Sequence, residues 1–309
     1  MPLATPLPLD LQRIPFSTRT AIDRGVREGR LRASDVQHPF HGVQRVVQVP
    51  DDIRSRCLDY LPRMREGQFF SHLTAAELWG LPIPRLVRPG GELDVAAVRP
   101  TRAPRTRGVI GHDLTADGVR VQMLGPLPVA DVLSTWVQLR SLVGPRFDFA
   151  DLVAAGDAAV LRRPRADRTL APALTTLDEL RARVRTADRR GRVLLAQAAE
   201  AVREGAESAP ETRLRLVLLD GGLPEPLVNA DVYDEFGLFL GRGDLVYPDS
   251  CLVVEYDGDD HRTSVARYER DQTRIDAFRE ARWHVIRIRA QALYKRPAWV
   301  VQRVRRALR

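Results

Sequence analysis

Asp244 and Glu255 are the residues whose type and spacing most directly suggest chemistry. They lie in two stretches that read as β-strands, Leu238 to Tyr247 and Cys251 to Asp257, joined by a turn at Pro248 to Ser250. An antiparallel pairing across that turn can bring the two carboxylates side by side. Asp257 is two residues beyond Glu255 and therefore shares its face, while Val254 and Tyr256 point the other way. The apolar run Cys251-Leu252-Val253-Val254 makes this strand a buried one. Carboxylates gathered on one face disfavour each other's ionisation, and a divalent cation removes that cost. Oxygen ligands with open water positions suit Mg²⁺ or Mn²⁺ rather than zinc. Such an ion can generate a bound hydroxide and stabilise the extra charge on a phosphodiester being cleaved. The competing reading is a strand end whose acids splay into solvent.

Other residues could complete such a site. Glu211 follows Ser208 by three positions, so it is either a capping-box glutamate at a helix start or a third carboxylate. His261 is either the group that activates the attacking water or a solvent-facing histidine at a helix start. Asp271 and Arg274 are three apart on one helical face and can pair with each other; alternatively Arg274 contacts the scissile phosphate. Pro248-Asp249 reads as a turn dipeptide without a catalytic role. His72 and His112 lie 40 residues apart with no acidic or cysteine partner at ligand spacing, so they read as packing or capping residues.

The elements that must position these groups fall into three regions. Residues 1–60 carry a Pro-rich start, a helical stretch from about Ser17 to Leu31, and a strand at Val43 to Val49. This order is that of a small winged helix-turn-helix, with Arg19, Arg24, Arg27, Arg30 and Arg32 placed for phosphate contacts. Residues 61–186 form a central mixed α/β region. In it Ser71 or Thr74 caps a short helix ending at Gly80. Strands are expected at Leu93–Val98 and Val119–Leu124 around an Arg-rich loop, and helices at Val129–Leu142 and Phe147–Leu161. Residues 187–309 hold a helix at Ala187–Glu204 and another from Ser208 to Leu219. A three-strand meander follows, from Val228 through Asp257, then a helix at Ser264–Ala281, a strand at His284–Ile288 and an amphipathic helix from Pro297. The fold class expected is multidomain α/β (α+β).

Composition bounds the answer. The 309 residues, 44% of them apolar, suffice for two or three folded domains. No apolar run approaches a membrane span, the start lacks a secretory signal, and two cysteines exclude a disulfide scaffold, so the cytoplasm is the expected compartment. The net charge is +8, with a single lysine, Lys295. From Glu211 to His261 there are 12 acids and 3 bases; from Arg262 to Arg309 there are 14 bases and 4 acids. An acidic block followed by a basic one suits a metal-dependent enzyme acting on a polyanion such as DNA, or equally two solvated faces that neutralise each other. Arg287, Arg289, Lys295, Arg303, Arg305, Arg306 and Arg309 would grip a nucleic-acid backbone without reading its sequence.

In order, Glu211, Asp244, Glu255-Tyr256-Asp257-Gly258, His261, Asp271, Arg274, Trp283 and Arg287 resemble the restriction-endonuclease-like PD-(D/E)xK fold. The match is to its branch related to very-short-patch-repair (Vsr) endonucleases, over roughly residues 205–295. The resemblance implies a Mg²⁺-dependent endodeoxyribonuclease in which Asp244 and Glu255 bind the metal, with Asp257 as a further ligand and Glu211 assisting from a helix. The superfamily lysine, two residues after the second acid, is here Asp257; the Vsr-like branch instead uses Asp-Gly and a following His, matched by Asp257, Gly258 and His261. Residues 10–165, by the winged-helix pattern and the Ser71-to-Pro82 segment, resemble the N-terminal part of AbiEi-type antitoxins. That second resemblance implies a DNA-binding regulator, with a toxin as its partner. A non-enzymatic regulator with a degenerate nuclease domain is thus the alternative to an enzyme, and a toxin-neutralising protein that binds no DNA is a third class.

Overall fold

A computed structural model describes residues 5–46, 49–84, 87, 91–163, 170–187, 191–258 and 265–309, with only the backbone described at 265–271. The chain is mixed α/β and divides into two compact units. One is Met1–Arg146 with Thr186–Arg189; the other is Phe147–Arg185 with Arg190–Arg309.

The first unit opens with β1 (Phe16–Ser17), α1 (Thr18–Asp23), α2 (Glu28–Leu31) and β2 (Val43–Gln44). Ser17 caps α1 by accepting from the Thr20 N–H, and β1 pairs antiparallel with β2. Leu7, Leu11, Phe16, Ala21 and Leu31 form a small core beneath them. The helical stretch expected at Ser17–Leu31 is thus two short helices, because Gly25 takes a positive φ of 79° between them. Next come α3 (Ile53–Tyr60), β3 (Gln68–Phe70), α4 (His72–Leu78), β4 (Leu93–Val98), β5 (Val109–Leu114), β6 (Val121–Leu124), β7 (Leu127–Ala130) and α5 (Val132–Leu139). The strands form one sheet in the order β5-β4-β3-β7-β6, with β4–β5 and β3–β7 parallel. Sequence placed a helix start at Val129; the chain instead forms β7 there, and α5 begins only after Asp131, whose side chain accepts from the Ser134 N–H.

The second unit begins with α6 (Phe149–Val160), α7 (Leu177–Arg185), α8 (Arg192–Ala201) and α9 (Ala209–Asp220). Sequence grouped α6 and α7 with the central region, yet α6 belongs with α9. Asp157 of α6 is fully buried, where its carboxylate accepts from Thr212 Oγ1 (2.7 Å) and pairs with Arg215 (3.3 Å). On the rim, Arg213 grips Asp148 through two 2.8 Å hydrogen bonds.

The sheet of this unit follows as β8 (Leu227–Tyr233), β9 (Phe239–Tyr247) and β10 (Leu252–Asp257). Then come α10 (Val265–Glu280), β11 (His284–Arg289), α11 (Ala290–Lys295) and α12 (Pro297–Ala307). Strand order is β11-β10-β9-β8, antiparallel except for the parallel β10–β11 pair, which α10 connects. Each face has its own core. Leu245, Leu252 and Val254 pack with Leu214, Leu218 and Val300 from α9 and α12. Val232, Val246 and Val253 pack with Phe278 of α10 on the other face. Burial of this kind, at roughly 25 cal/mol per Å² of apolar surface, is what drives the layers together. Among the described residues no helix is long and apolar enough to cross a membrane.

Candidate functional site

Asp244 sits where two strands part. β9 and β10 are in register from Leu252↔Tyr247 to Val254↔Leu245, and the pairing stops one step before Glu255 would meet Asp244. There the Asp244 carboxylate substitutes for a backbone acceptor and takes the Tyr256 N–H at 2.8 Å. The other neighbouring strand is also irregular at this level. Asn229 of β8 holds a φ of 46°, and the strand changes faces across it. Val228 and Leu245 pack toward α9 and α12, whereas Ala230 and Val232 pack toward α10. Asp244 lies opposite this reversal, between the Val228↔Leu245 and Ala230↔Gly243 pairs. An L-residue other than Gly at positive φ is uncommon, and Asn is among those that tolerate it best.

Around Asp244 the structure gathers two further acids. Glu211 is in the first turn of α9. It accepts from Ser208 Oγ (2.6 Å), from the Glu207 N–H (3.0 Å) and from Asn229 Nδ2 (2.7 Å). The expected capping arrangement is therefore present with a shift: Ser208 takes the Glu211 N–H, but the glutamate reaches the N–H of Glu207 rather than that of Ser208. Glu255 is 4% exposed and is held by Arg274, which also donates to the Arg242 carbonyl at 2.6 Å. Burial, then the charges of Glu211 and Glu255, push the Asp244 carboxyl up to about 7; the Tyr256 N–H and Arg274 pull in the opposite direction. By surface area Asp244 is only half-buried, but it is closely enough surrounded for desolvation to be the leading cause. At neutral pH this carboxyl is thus poised between its charged and neutral forms.

The remaining expected residues are placed differently. Asp257 shares the Glu255 side of β10 but is engaged by Arg287 Nη2 at 3.2 Å and Arg289 Nε at 3.5 Å. The parallel register of β10 with β11, Glu255↔Arg287 and Asp257↔Arg289, puts these arginines beside the acids. Arg274 pairs with Glu255, while the Asp271 side chain lies outside the described residues. His261 also lies outside them. Pro248-Asp249 is in a short 3-10 turn after β9. Of the closing basic residues, Arg305 donates to the Gly221 carbonyl and Arg303 stacks on Trp299 at 5.2 Å, whereas Lys295, Arg296, Arg306 and Arg309 are exposed.

The donor set fits an oxygen-liganded divalent cation in one respect and not in another. A carboxyl pushed toward neutrality by burial and then by two neighbouring acids is what an added cation would relieve, and Asp244 and Glu255 are the residues that would hold it. Asp257, balanced by two arginines, lacks that surplus of negative charge.

A second cluster was not anticipated from sequence. In the first unit, ligand atoms of His72, Asp94 and His112 all lie within 4.8 Å of one another. The acid that sequence spacing did not supply to the two histidines comes from β4, through its parallel register with β5. The one available signal was Asp94 itself, an acid inside the apolar strand Leu93–Val98.

No family model matches the chain, and no solved structure matches it. Two uncharacterised proteins of Mycobacterium tuberculosis, from strains CDC 1551/Oshkosh and H37Rv, are each 33% identical to it over 156 residues. The matched stretch is 49% of this chain and 57% of those proteins, so the alignment spans little more than half the length of either relative.

Proposed function

We propose that the C-terminal unit is a Mg²⁺- or Mn²⁺-dependent endonuclease-like domain that hydrolyses DNA phosphodiesters. The single observation that supports it best is the convergence of Glu211 and Glu255 on Asp244, at the point where β9 and β10 separate. In this reading Asp244 and Glu255 hold the ion, and Glu211 anchors the arrangement through Asn229 and the start of α9. When bound, the ion would supply a water-derived nucleophile and a counter-charge for the phosphorane-like transition state. Arg274 keeps Glu255 neutralised in the ion-free protein and is the residue read as the contact to the scissile phosphate. His261 remains the residue assigned to the attacking water, and Asp257 serves to order Arg287 and Arg289 rather than to bind the ion. DNA is the substrate class, with the N-terminal segment read as winged-helix-like and antitoxin-like, and a partner toxin as a further associate.

One observation favours the alternative, a DNA-binding regulator whose nuclease-like unit is degenerate. Arginines already balance Glu255 and Asp257, as they would in a site that no longer takes an ion. Plasmid nicking separates the two. Cleavage by the wild type with Mg²⁺ or Mn²⁺, abolished by EDTA and by Asp244→Asn while DNA binding persists, is the result expected. No cleavage with either ion, with DNA binding retained, favours the regulator, and wild-type cleavage by Asp244→Asn removes Asp244 from the mechanism.

A further inference from the structure

In the first unit, we infer that His72, Asp94 and His112 form a binding site for a divalent transition-metal ion of the Zn²⁺ class, separate in residues and in chemistry from the carboxylate site. Asp94 is wholly buried on β4, His72 is 5% exposed at the start of α4, and His112 on β5 retains 22% of its side-chain exposure. The site is therefore built from inside and approachable through one ligand. Asp94 and His112 project from the same face because β4 and β5 are parallel with Asp94↔Ile110 and Ala96↔His112 in register.

Five features make this arrangement more than polar packing. Two imidazoles and a carboxylate within 4.8 Å give the nitrogen-and-oxygen donor set that transition metals favour over Mg²⁺. His112 Nε2 and Asp94 Oδ1, hydrogen-bonded at 2.7 Å, already face each other, and an ion between them would open that separation to the roughly 3.2 Å that two ligands span on a tetrahedral Zn²⁺ with bonds of about 2 Å. His72 is held at a φ of 47°, a left-handed conformation that is strained for a non-glycine residue and that clusters at functional positions. Ser71 Oγ lies 3.0 Å from His72 Nδ1, the kind of outer partner that orients a ligating imidazole. Thr74 in turn clamps Asp94: its hydroxyl accepts the Asp94 N–H at 2.7 Å.

The rings of His72 and His112 stack, with centroids 3.7 Å apart and planes at 18°. Their lone pairs lie in nearly parallel planes, so an ion shared by the two rings requires one ring to turn and takes the place of the His112–Asp94 hydrogen bond. His112 is the ring placed to do so, since it is the partly exposed member and sits on β5, the edge strand of the sheet. Three protein ligands leave a fourth position for water, as in catalytic rather than purely structural zinc sites.

The test is Zn²⁺ binding by the full-length protein, followed calorimetrically in millimolar Mg²⁺ so that oxygen-only sites are saturated, with Co²⁺ absorption as a report on nitrogen ligation. One Zn²⁺ per chain is expected, with affinity reduced at least ~100-fold in both His112→Ala and His112→Gln; the glutamine retains a hydrogen bond to Asp94 and protects against simple loss of folding. Unchanged affinity in these variants, or no stoichiometric binding by the wild type, overturns the assignment. Should neither variant fold, the wild type decides: Zn²⁺ must slow acylation of His112 by diethylpyrocarbonate, and equal rates with and without Zn²⁺ overturn it.

Discussion

At the scale of single residues, Asp244 is the most informative position. Its carboxyl is raised from 3.8 to about 7, whereas in the unfolded chain it ionises near the ordinary value. Between about pH 4 and pH 7 the folded state therefore binds more protons than the unfolded one, and stability contributed by this group falls as pH rises. Below pH 4 both states are protonated and no penalty exists; above 7 the full penalty, of order 4 kcal/mol, is present. Asp244→Asn removes it. Ion-free Asp244→Asn should thus match the wild type in stability near pH 4 and exceed it near pH 8, as read from urea unfolding at the two values. A parallel pH dependence in both proteins would show that burial and the neighbouring acids do not raise the Asp244 carboxyl as described. Adding Mn²⁺ should raise the melting temperature of the wild type at pH 8 more than that of Asp244→Asn, because a ligand specific for the folded state stabilises it by mass action.

The elements show which parts of this protein can be read from sequence. β4 is legible to the residue, and β8 to β11 nearly so, because apolar alternation and the turns at Asp234–Gly237 and Pro248–Ser250 bound them on both sides. Ser208 and Gly221 likewise delimit α9. β5 escaped because Val109 to Leu114 mixes apolar, charged and glycine positions, and as an edge strand it leaves half of them exposed. β7 was hidden because its apolar residues run into those of α5, so that one buried stretch contains two elements. The carboxylates could be found because strand spacing places them, but what surrounds them could not. Arg274 reaches Glu255 from α10, and Asn229 turns β8 over beside Asp244, by packing between distant segments. The joint between α6 and α9 was invisible for the same reason. Burial pushes the Asp157 carboxyl up against the pull of Arg215, yet Thr212, the Arg203 N–H and Arg215 satisfy it. Asp157→Ala strands a fully buried guanidinium and should cost about 3–5 kcal/mol in chemical unfolding. A loss below about 1 kcal/mol would mean that Glu225, 3.3 Å from Arg215, carries the charge balance alone.

For the whole molecule the relevant quantity is how its +8 charge is spent. Many arginines are committed internally. In the first unit Arg30 forms a bidentate pair with Asp35, and Arg24 lies 3.2 Å from Asp10. In the second, Arg213, Arg215, Arg274 and Arg287 are all engaged with carboxylates. A count of basic residues therefore overstates the charge available to a polyanion, and Lys295, Arg296, Arg306 and Arg309, exposed on and around α11 and α12, are better placed to meet one. If those four contact phosphates, each adds about −0.9 to the slope of log K against log salt on duplex DNA, and four together give roughly −3.6. Replacing Arg306 and Arg309 by glutamine should lower the slope by about 2 and weaken binding to unrelated duplexes equally, since backbone contacts carry no sequence information. The measurement is fluorescence anisotropy of the full-length protein on two duplexes across a salt series, with EDTA present so that DNA binding is read apart from any ion. A wild-type slope near zero would contradict a DNA-binding role for this surface. A slope that survives the double substitution would move the contact to other basic residues, such as those of the N-terminal segment. Because the reading is taken without metal, it bears on the enzyme and the regulator alike, and only cleavage tells those two apart.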